Sequence, residues 1–465
     1  MEKKEMEKDN ISHGLKREIG LFAATAIVVG NMIGSGIFMA PQGLASVSNP
    51  KTTILAWIIT AVGSMLLALS FAKLGAAYPK TGGPIVYTKE AFGEFPAFLI
   101  AWTYWVGAWA GNAAIITGFM SYLNYFIPEL GNNRLLAFIV SSGILWFFTF
   151  INIKGAKEAG IVSIITTVLK ILPLIIFAGI AAWNFNPDYL NTVASDKVSG
   201  MDTLPAAIAI TLWAFIGLES ATVPAGEIKN PERNIKLSTI YGTLITAIIY
   251  ILISVLAMGG MSQGDLANST APLADIINNL TGSHWGGTII ALGAIISTLG
   301  ATSGWILTAA RGAFAAGEDK LFPEIFAKLH PKYNTPHASL IISGVAANIL
   351  LVMNYVGSLT SAFNFMLLLA TLAVLPAYTF TTAAEIILLV KHDDRFNLGN
   401  FIKNSFISLL GFAYSIYAIY GTGAEVVMYG FILMLVGIPF YVYMKLQNRG
   451  EISLAKNIKT KAYEN

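Results

Sequence analysis

No cysteine occurs anywhere in the chain. That excludes a disulfide framework, a thiol nucleophile, an iron–sulfur cluster and a thiolate metal site. Charge is scarce as well: 12% of the residues are charged, against about 25% in a soluble globular protein. Too little polar surface is left to cover a soluble body of this size. Histidine is limited to His13, His284, His330, His337 and His392, all in tails, loops or ends of apolar runs. No pair of them has metal-ligand spacing, so neither a metal nor a cofactor is expected. No Gly-x-x-x-x-Gly-Lys-Ser/Thr loop is found, which argues against ATP-driven pumping. No aspartate pair or Ser/His pair sits within the apolar runs, so an enzyme is not expected.

What the chain has instead is apolar length. Hydrophobic residues make up 55% of it, with a mean hydropathy of +0.65. Uncharged runs such as "GLFAATAIVVGNMIGSGIFMAP" recur throughout, and about 20 apolar residues span a bilayer as a helix. The pattern predicts an all-α polytopic membrane protein of twelve spans: 19–41, 52–78, 95–127, 134–153, 160–184, 205–226, 236–260, 285–316, 337–356, 359–390, 404–421 and 424–446. Charge placement supports the count. With the N-terminus cytoplasmic, the outer loops carry only Lys51, Arg134 and Lys197 of the 29 Lys and Arg residues, and Lys170 lies inside a span. The rest, Arg311 among them, fall on the cytoplasmic side, as the positive-inside rule requires. The charged stretch 1–18 has no cleavable-signal pattern and is expected to remain as a cytoplasmic tail, as is 447–465. No segment outside the spans is long enough for a folded domain. The net charge of +3 says little, and the expected partners are the bilayer and a small-molecule substrate, not nucleic acid.

Two spans are interrupted where a helix should be most regular. The first holds "GNMIGSGIF", with Gly34-Ser35-Gly36 about halfway along; the sixth holds "WAFIGLESATVPAG", with Gly217, Glu219, Ser220 and Thr222 at similar depth. Backbone polar groups exposed to lipid cost several kcal/mol each, so irregular backbone at that depth must line a cavity or a site. Gly30-x-x-x-Gly34 also suits plain helix packing, but three small residues in succession point in different directions around a helix. The two stretches echo each other: Pro41 and Gly43 follow Gly34 at seven and nine residues, as Pro224 and Gly226 follow Gly217. First helices of two five-helix halves, 19–184 and 205–390, broken alike, predict an inverted-repeat carrier with its site at the midplane, followed by two further helices at 404–446. Freed N–H groups would bind a carboxylate, and freed carbonyls an ammonium.

Single residues sharpen this reading. Glu219 is an intramembrane carboxylate, expensive in its charged form and a candidate gating or proton-sensing group; the alternative is a protonated residue stabilising local backbone. Lys170 lies deep in span five, too far for easy snorkelling. Its ammonium is expected to stand in for a coupling cation between the first break and span eight, which predicts sodium independence. Trp213, one turn before the second break, offers an indole face to a cation. Trp102, Trp105 and Trp109 form a helical stripe, at least one of which is expected near the cavity or Asn112. The loop "GEIKNPERN" fits a cytoplasmic gate better than a binding site.

The stretches "GNMIGSGIFMAP", "WAFIGLESATVPAGEIKNPERN" and "GWILTAARGAFAAGEDKLFPEIFAK" resemble the amino acid–polyamine–organocation superfamily over all twelve spans. The match is closest to the basic amino acid/polyamine antiporters, the group of arginine/agmatine and putrescine/ornithine exchangers; "AWIITAVGSMLLALSFAKLG" and "LANSTAP" resemble the putrescine/ornithine branch. The resemblance implies a LeuT-type fold of five plus five inverted helices with two more, often homodimeric, and sodium-independent exchange by alternating access at the cell membrane. It implies that Gly34, Ser35 and Gly36 take the substrate carboxylate or one end of a diamine, with Asn31 and Ile33 lining the same break. Trp213, Ile216 and Gly217 would form the opposite side, Trp213 capping a cationic head. Asn112 would be the polar group of span three, beside Gly107 and Ala108, although interhelical amide hydrogen bonding is an equal alternative for it. Trp305 would be the distal wall. Glu425 falls where the putrescine branch has a functional glutamate. In span ten, "MLLLATLAVLP" offers only Thr371 where the arginine branch has a serine. Lys170 resembles instead the lysine of sodium-independent neutral amino acid members. Substrate identity therefore stays open between an organic cation and a neutral amino acid.

Overall fold

The computed structural model describes residues 17–191, 193, 198, 200–352, 359–391 and 398–463. The expected N-terminal tail lies outside them through residue 16, as does the end of span nine from 353. The described chain is helical throughout, and its one β-type contact is a parallel bridge between Ile19 and Ile228.

The first span is two helices, α1 (Leu21–Met32) and α2 (Gly36–Val47). Then come α3 (Pro50–Ala77), the short α4 (Pro84–Phe92), α5 (Glu94–Asn124), α6 (Arg134–Lys154) and α7 (Ala156–Trp183). The sixth span supplies α8 (Leu204–Phe215), followed by α9 (Pro231–Met258), two short helices α10 (Gln263–Asn268) and α11 (Pro272–Thr281), and α12 (His284–Glu318). The last four are α13 (His337–Leu351), α14 (Leu359–Lys391), α15 (Leu398–Gly421) and α16 (Ala424–Tyr463). Local chemistry sets many of these starts. Asn49 caps α3 by accepting from Thr52 N–H with Pro50 in the first turn, the arrangement that satisfies an otherwise orphaned donor. Asn230, at φ 44°, turns the chain sharply before Pro231 opens α9.

Among the described residues, eight helices are long and apolar enough to cross a membrane, and Met201–Phe215, His337–Leu351 and Ser405–Gly421 are shorter apolar helices. The chain is thus a polytopic membrane protein. The broken span is its centre: 78% of an 18-residue apolar stretch of Leu21–Val47 is buried, against 6% of one in Ala424–Gln447. Around it, α5 packs on α12 and α14, α3 on α9, and α7 on α1 and α12. The periphery turns large apolar side chains outward, among them Phe150, Leu172 and Phe431, a face suited to lipid.

The two breaks differ in form. Residues 33–35 part α1 from α2, and the helix then resumes straight through Pro41. After Phe215 no α-helix resumes until Pro231: Ile216 is extended, Gly217 takes φ +114°, and turns lead to a single 3-10 turn at Ala225–Glu227. Span six therefore ends earlier as a helix than its apolar run predicts. A positive φ at Gly217 ends the helix, and Pro224 lacks the N–H a resumed helix would use there.

Candidate functional site

The first break leaves carbonyls that the sequence cannot satisfy locally, and three neighbouring elements supply donors. From α7, Lys170 Nζ donates to Gly30 O at 3.0 Å and to Ile33 O at 2.6 Å. From α12, Ser297 Oγ donates to Ile33 O at 2.8 Å and Trp305 Nε1 to Asn31 O at 3.2 Å. From α9, Tyr250 Oη lies 2.5 Å from Met32 O and 2.9 Å from Ala214 O, so one hydroxyl serves the C-terminal ends of both α1 and α8. These contacts keep an irregular segment stable at depth.

One face of α12 meets the broken segments over most of its length. Ser297 meets Ile33 and Gly34, and Ala301 lies beneath Gly34. Gly304 lies against the Asn31 amide, and Thr308 Oγ1 accepts from Asn31 Nδ2 at 3.2 Å. Arg311 then reaches Glu227. The repeat of three to four residues is the helical one.

Between the breaks lies a cavity lined by Asn31, Met32, Gly34, Ser35, Gly36, Ile115, Trp213, Ile216 and Trp305. Seven of these were expected from sequence; Met32 and Ile115 were not. Its volume is about 10 Å³, room for roughly one water, so an amino acid enters only if the walls part. Ser35, a residue of the wall, has its Oγ buried without a hydrogen-bond partner; Asn31 Oδ1, also without a partner, faces Gly304 of α12. The N-terminus of α2 opens here, with N–H groups that have no partner within the helix. A separate apolar cavity of about 140 Å³, lined by Met39, Ala40, Gly43, Ser46, Val47, Ile210, Leu367 and Leu368, lies toward the far end of α2.

Other expected residues stand elsewhere. Ile33 is buried with its carbonyl engaged by Lys170 and Ser297. Gly217 packs on the Asn31 backbone, where an added Cβ would stand 3.1 Å from Asn31 C. Gly107 packs against Val374 and Ala370 of α14, and Ala108 is buried without lining the cavity. The position facing Trp213 on α5 is Gly111, where a Cβ would meet the indole at 3.4 Å. Asn112, with its amide nitrogen toward Thr302 O and its oxygen toward Ile306 N–H at 3.2 Å each, ties α5 to α12. Glu425 is exposed at the start of α16 and accepts from Tyr429 Oη, away from the cavity. In the tryptophan stripe, Trp102 donates to Leu433 O and Trp105 to Ser343 Oγ, and both pack on Phe322. None of the three lines the cavity.

Beyond the cavity, toward the start of α1, Glu219 is fully buried. Its carboxyl accepts from Tyr104 Oη at 2.9 Å, Tyr378 Oη at 2.5 Å and Gly217 N–H at 3.1 Å. Sequence reasoning found the acid and missed its donors, although Tyr104 and Tyr378 both interrupt apolar runs. A seal follows. Glu227 O accepts from Glu18 and Ile19 N–H, both at 2.9 Å, Lys229 N–H donates to Ile19 O, and Gly82 N–H donates to Val223 O. Arg311, counted on the cytoplasmic side from sequence, is fully buried beside Glu227.

A profile of the amino acid permease family matches residues 19–446, which takes in both breaks, Lys170 and the whole α12 face. The chain belongs to the amino acid permease family. Within the amino acid–polyamine–organocation superfamily, this permease is similar to an arginine/agmatine antiporter of Chlamydia abortus, 34% identical over 449 residues, covering 93% of this chain and 91% of that protein. It is 34% identical to the Chlamydia pneumoniae arginine/agmatine antiporter over 442 residues, covering 92% and 90%. An arginine/ornithine antiporter of Pseudomonas aeruginosa is 31% identical over 448 residues, covering 94% and 92%. The permease is therefore a transporter.

Proposed function

We propose that this permease is a sodium-independent antiporter of the plasma membrane that exchanges a basic amino acid for a related cation by alternating access. Arginine, ornithine, agmatine and putrescine are the substrates to test. The observation that carries the reading is the cavity between the breaks. The N-terminus of α2 faces it with N–H groups suited to a carboxylate. Trp213 and Trp305 wall it on either side. The antiporter names of the relatives point the same way.

In this reading Gly34, Ser35, Gly36 and Asn31 hold the head group, Trp213 caps the cation and Trp305 closes the distal side. Glu219, with its two tyrosines, gates the inner exit and senses protons. Lys170 occupies the place of a coupling cation. Gly107, Ala108 and Asn112 support the wall from behind, and Glu425 acts apart from the cavity. The eight long apolar helices, the three shorter ones and the 31-residue α5 fit the twelve spans expected, arranged as a LeuT-type repeat with both termini cytoplasmic. The homodimer belongs to the same reading.

One observation favours a second reading: no carboxylate lines the cavity, which suits a neutral amino acid. Uptake of labelled arginine and putrescine into sodium-free proteoliposomes, preloaded or empty, separates the two. Uptake only with preloaded counter-substrate supports the cation exchanger. Uptake of alanine or serine with no uptake of either cation would replace it with the neutral reading.

A further inference from the structure

Trp305, Thr308 and Arg311 follow one another on α12 at three-residue spacing. Each therefore stands about one turn nearer the end of α12 that meets the inner seal, and Arg311 lies roughly 9 Å along the axis from Trp305. No other Lys or Arg intervenes. Arg311 Nε donates to Glu227 Oε2 at 3.3 Å and Nη2 to Glu227 Oε1 at 3.2 Å, with side-chain exposures of 0% and 4%. That contact uses one edge of the guanidinium. Nη1 is buried with no hydrogen-bond partner, a costly way to leave two donors of a five-donor group.

Glu227 does more than neutralise the arginine. Its backbone carbonyl holds Glu18 and Ile19, so the ion pair joins α12 to the inner ends of both broken spans. A latch needs only the paired edge of Arg311. The free edge calls for an acceptor that arrives when the seal parts.

We propose that Arg311 is the cytoplasmic station of the transport path, where the free Nη1 edge receives the carboxylate of an amino acid substrate while Glu227 holds the guanidinium in place. The inference rests on the exchange of amino acids proposed above. A carboxylate leaving the α2 N-terminus must travel inward through a desolvated space, where an unpaired charge is expensive. Arg311 is the next cation on the α12 face along that route, and a guanidinium fork matches carboxylate geometry. A decarboxylated amine has no group for this station. Arg311 would thus separate the two partners of an exchange on the cytoplasmic side alone.

The test is the ratio of cytoplasmic KM for arginine to that for agmatine, measured on the full-length protein in inside-out proteoliposomes. In Arg311→Gln the ratio should rise about tenfold, the loss of one charge-assisted hydrogen bond. In Glu227→Gln, which frees the guanidinium from its internal carboxylate, the ratio should fall. Arg311→Lys, which keeps the charge without the fork, should give an intermediate rise and serves if Arg311→Gln does not fold. A ratio that stays put, or that moves the same way in the Arg311 and Glu227 variants, would reduce the pair to a plain latch and overturn the station. Absence of exchange by the wild type would instead overturn the proposed function.

Discussion

Lys170 Nζ donates to Ile33 O at 2.6 Å across 137 residues of sequence. The bond ties α7 to the point where the first span loses its helix, and a second bond to Gly30 O braces the last turn before it. Removing the ammonium would take the side-chain donor from Gly30 O in a dry interior, at about 1–3 kcal/mol for a group left without a partner, and leave Ile33 O to Ser297 Oγ alone. Lys170→Met should lower the transport rate at least about tenfold by that argument while the protein still elutes as a single species. Wild-type rates should be equal in sodium and in choline. A sodium-stimulated wild type would remove the surrogate-cation role of Lys170.

Glu219 holds two tyrosines at once, one on each carboxyl oxygen. Groups in one network couple, so their deletions do not add. Tyr104→Phe and Tyr378→Phe should each slow exchange several-fold, and the double variant should be little slower than the worse single one. Glu219→Gln should flatten the dependence of transport on pH, measured from initial rates across buffers. Equal pH profiles in wild type and Glu219→Gln would end its proton-sensing role.

Two glycines make opposite predictions about stability. A Cβ at Gly304 would overlap Asn31 Oδ1, whereas one at Gly143 meets nothing within 4 Å. Gly304→Ala should cost about 1–3 kcal/mol from overpacking and lower Tm in detergent. Gly143→Ala, in the interior of α6, should gain about 0.5–1 kcal/mol from the restricted unfolded chain and raise it.

Trp213 lines the cavity one turn before the second break. If its indole faces a substrate cation, its loss should cost about 0.5–2 kcal/mol of binding. Trp213→Leu should then raise the arginine KM by about 2- to 30-fold, and Trp213→Phe by less. Competition binding in detergent checks this. Equal affinities for Leu and Phe variants would argue against a cation at that wall.

Much of this was legible in the chain itself. Gly34-Ser35-Gly36 marked the first break because three flexible or polar residues in an apolar run leave backbone groups that lipid cannot satisfy. Lys170 and Glu219 stood out because isolated charges at that depth need partners. Gly107, Gly111 and Ile115 lie on one face of α5; the expectation from sequence named Gly107, Ala108 and Asn112 on this helix, none of which lines the cavity. The cavity opens at Ile115, two turns beyond Gly107, which is spent on α14.

The sequence by itself determined that the chain lives in a membrane, where its helices break and that Lys170 and Glu219 lie deep, because each follows from the cost of putting polar groups into hydrocarbon. Only the tertiary structure decided which donors meet the broken backbone, how far along each helix the cavity sits, and that Arg311 is buried against Glu227. Those depend on the axial register between helices distant in sequence. Helical periodicity fixes which face a residue occupies, but the sliding of one helix past another is set by packing across the whole bundle.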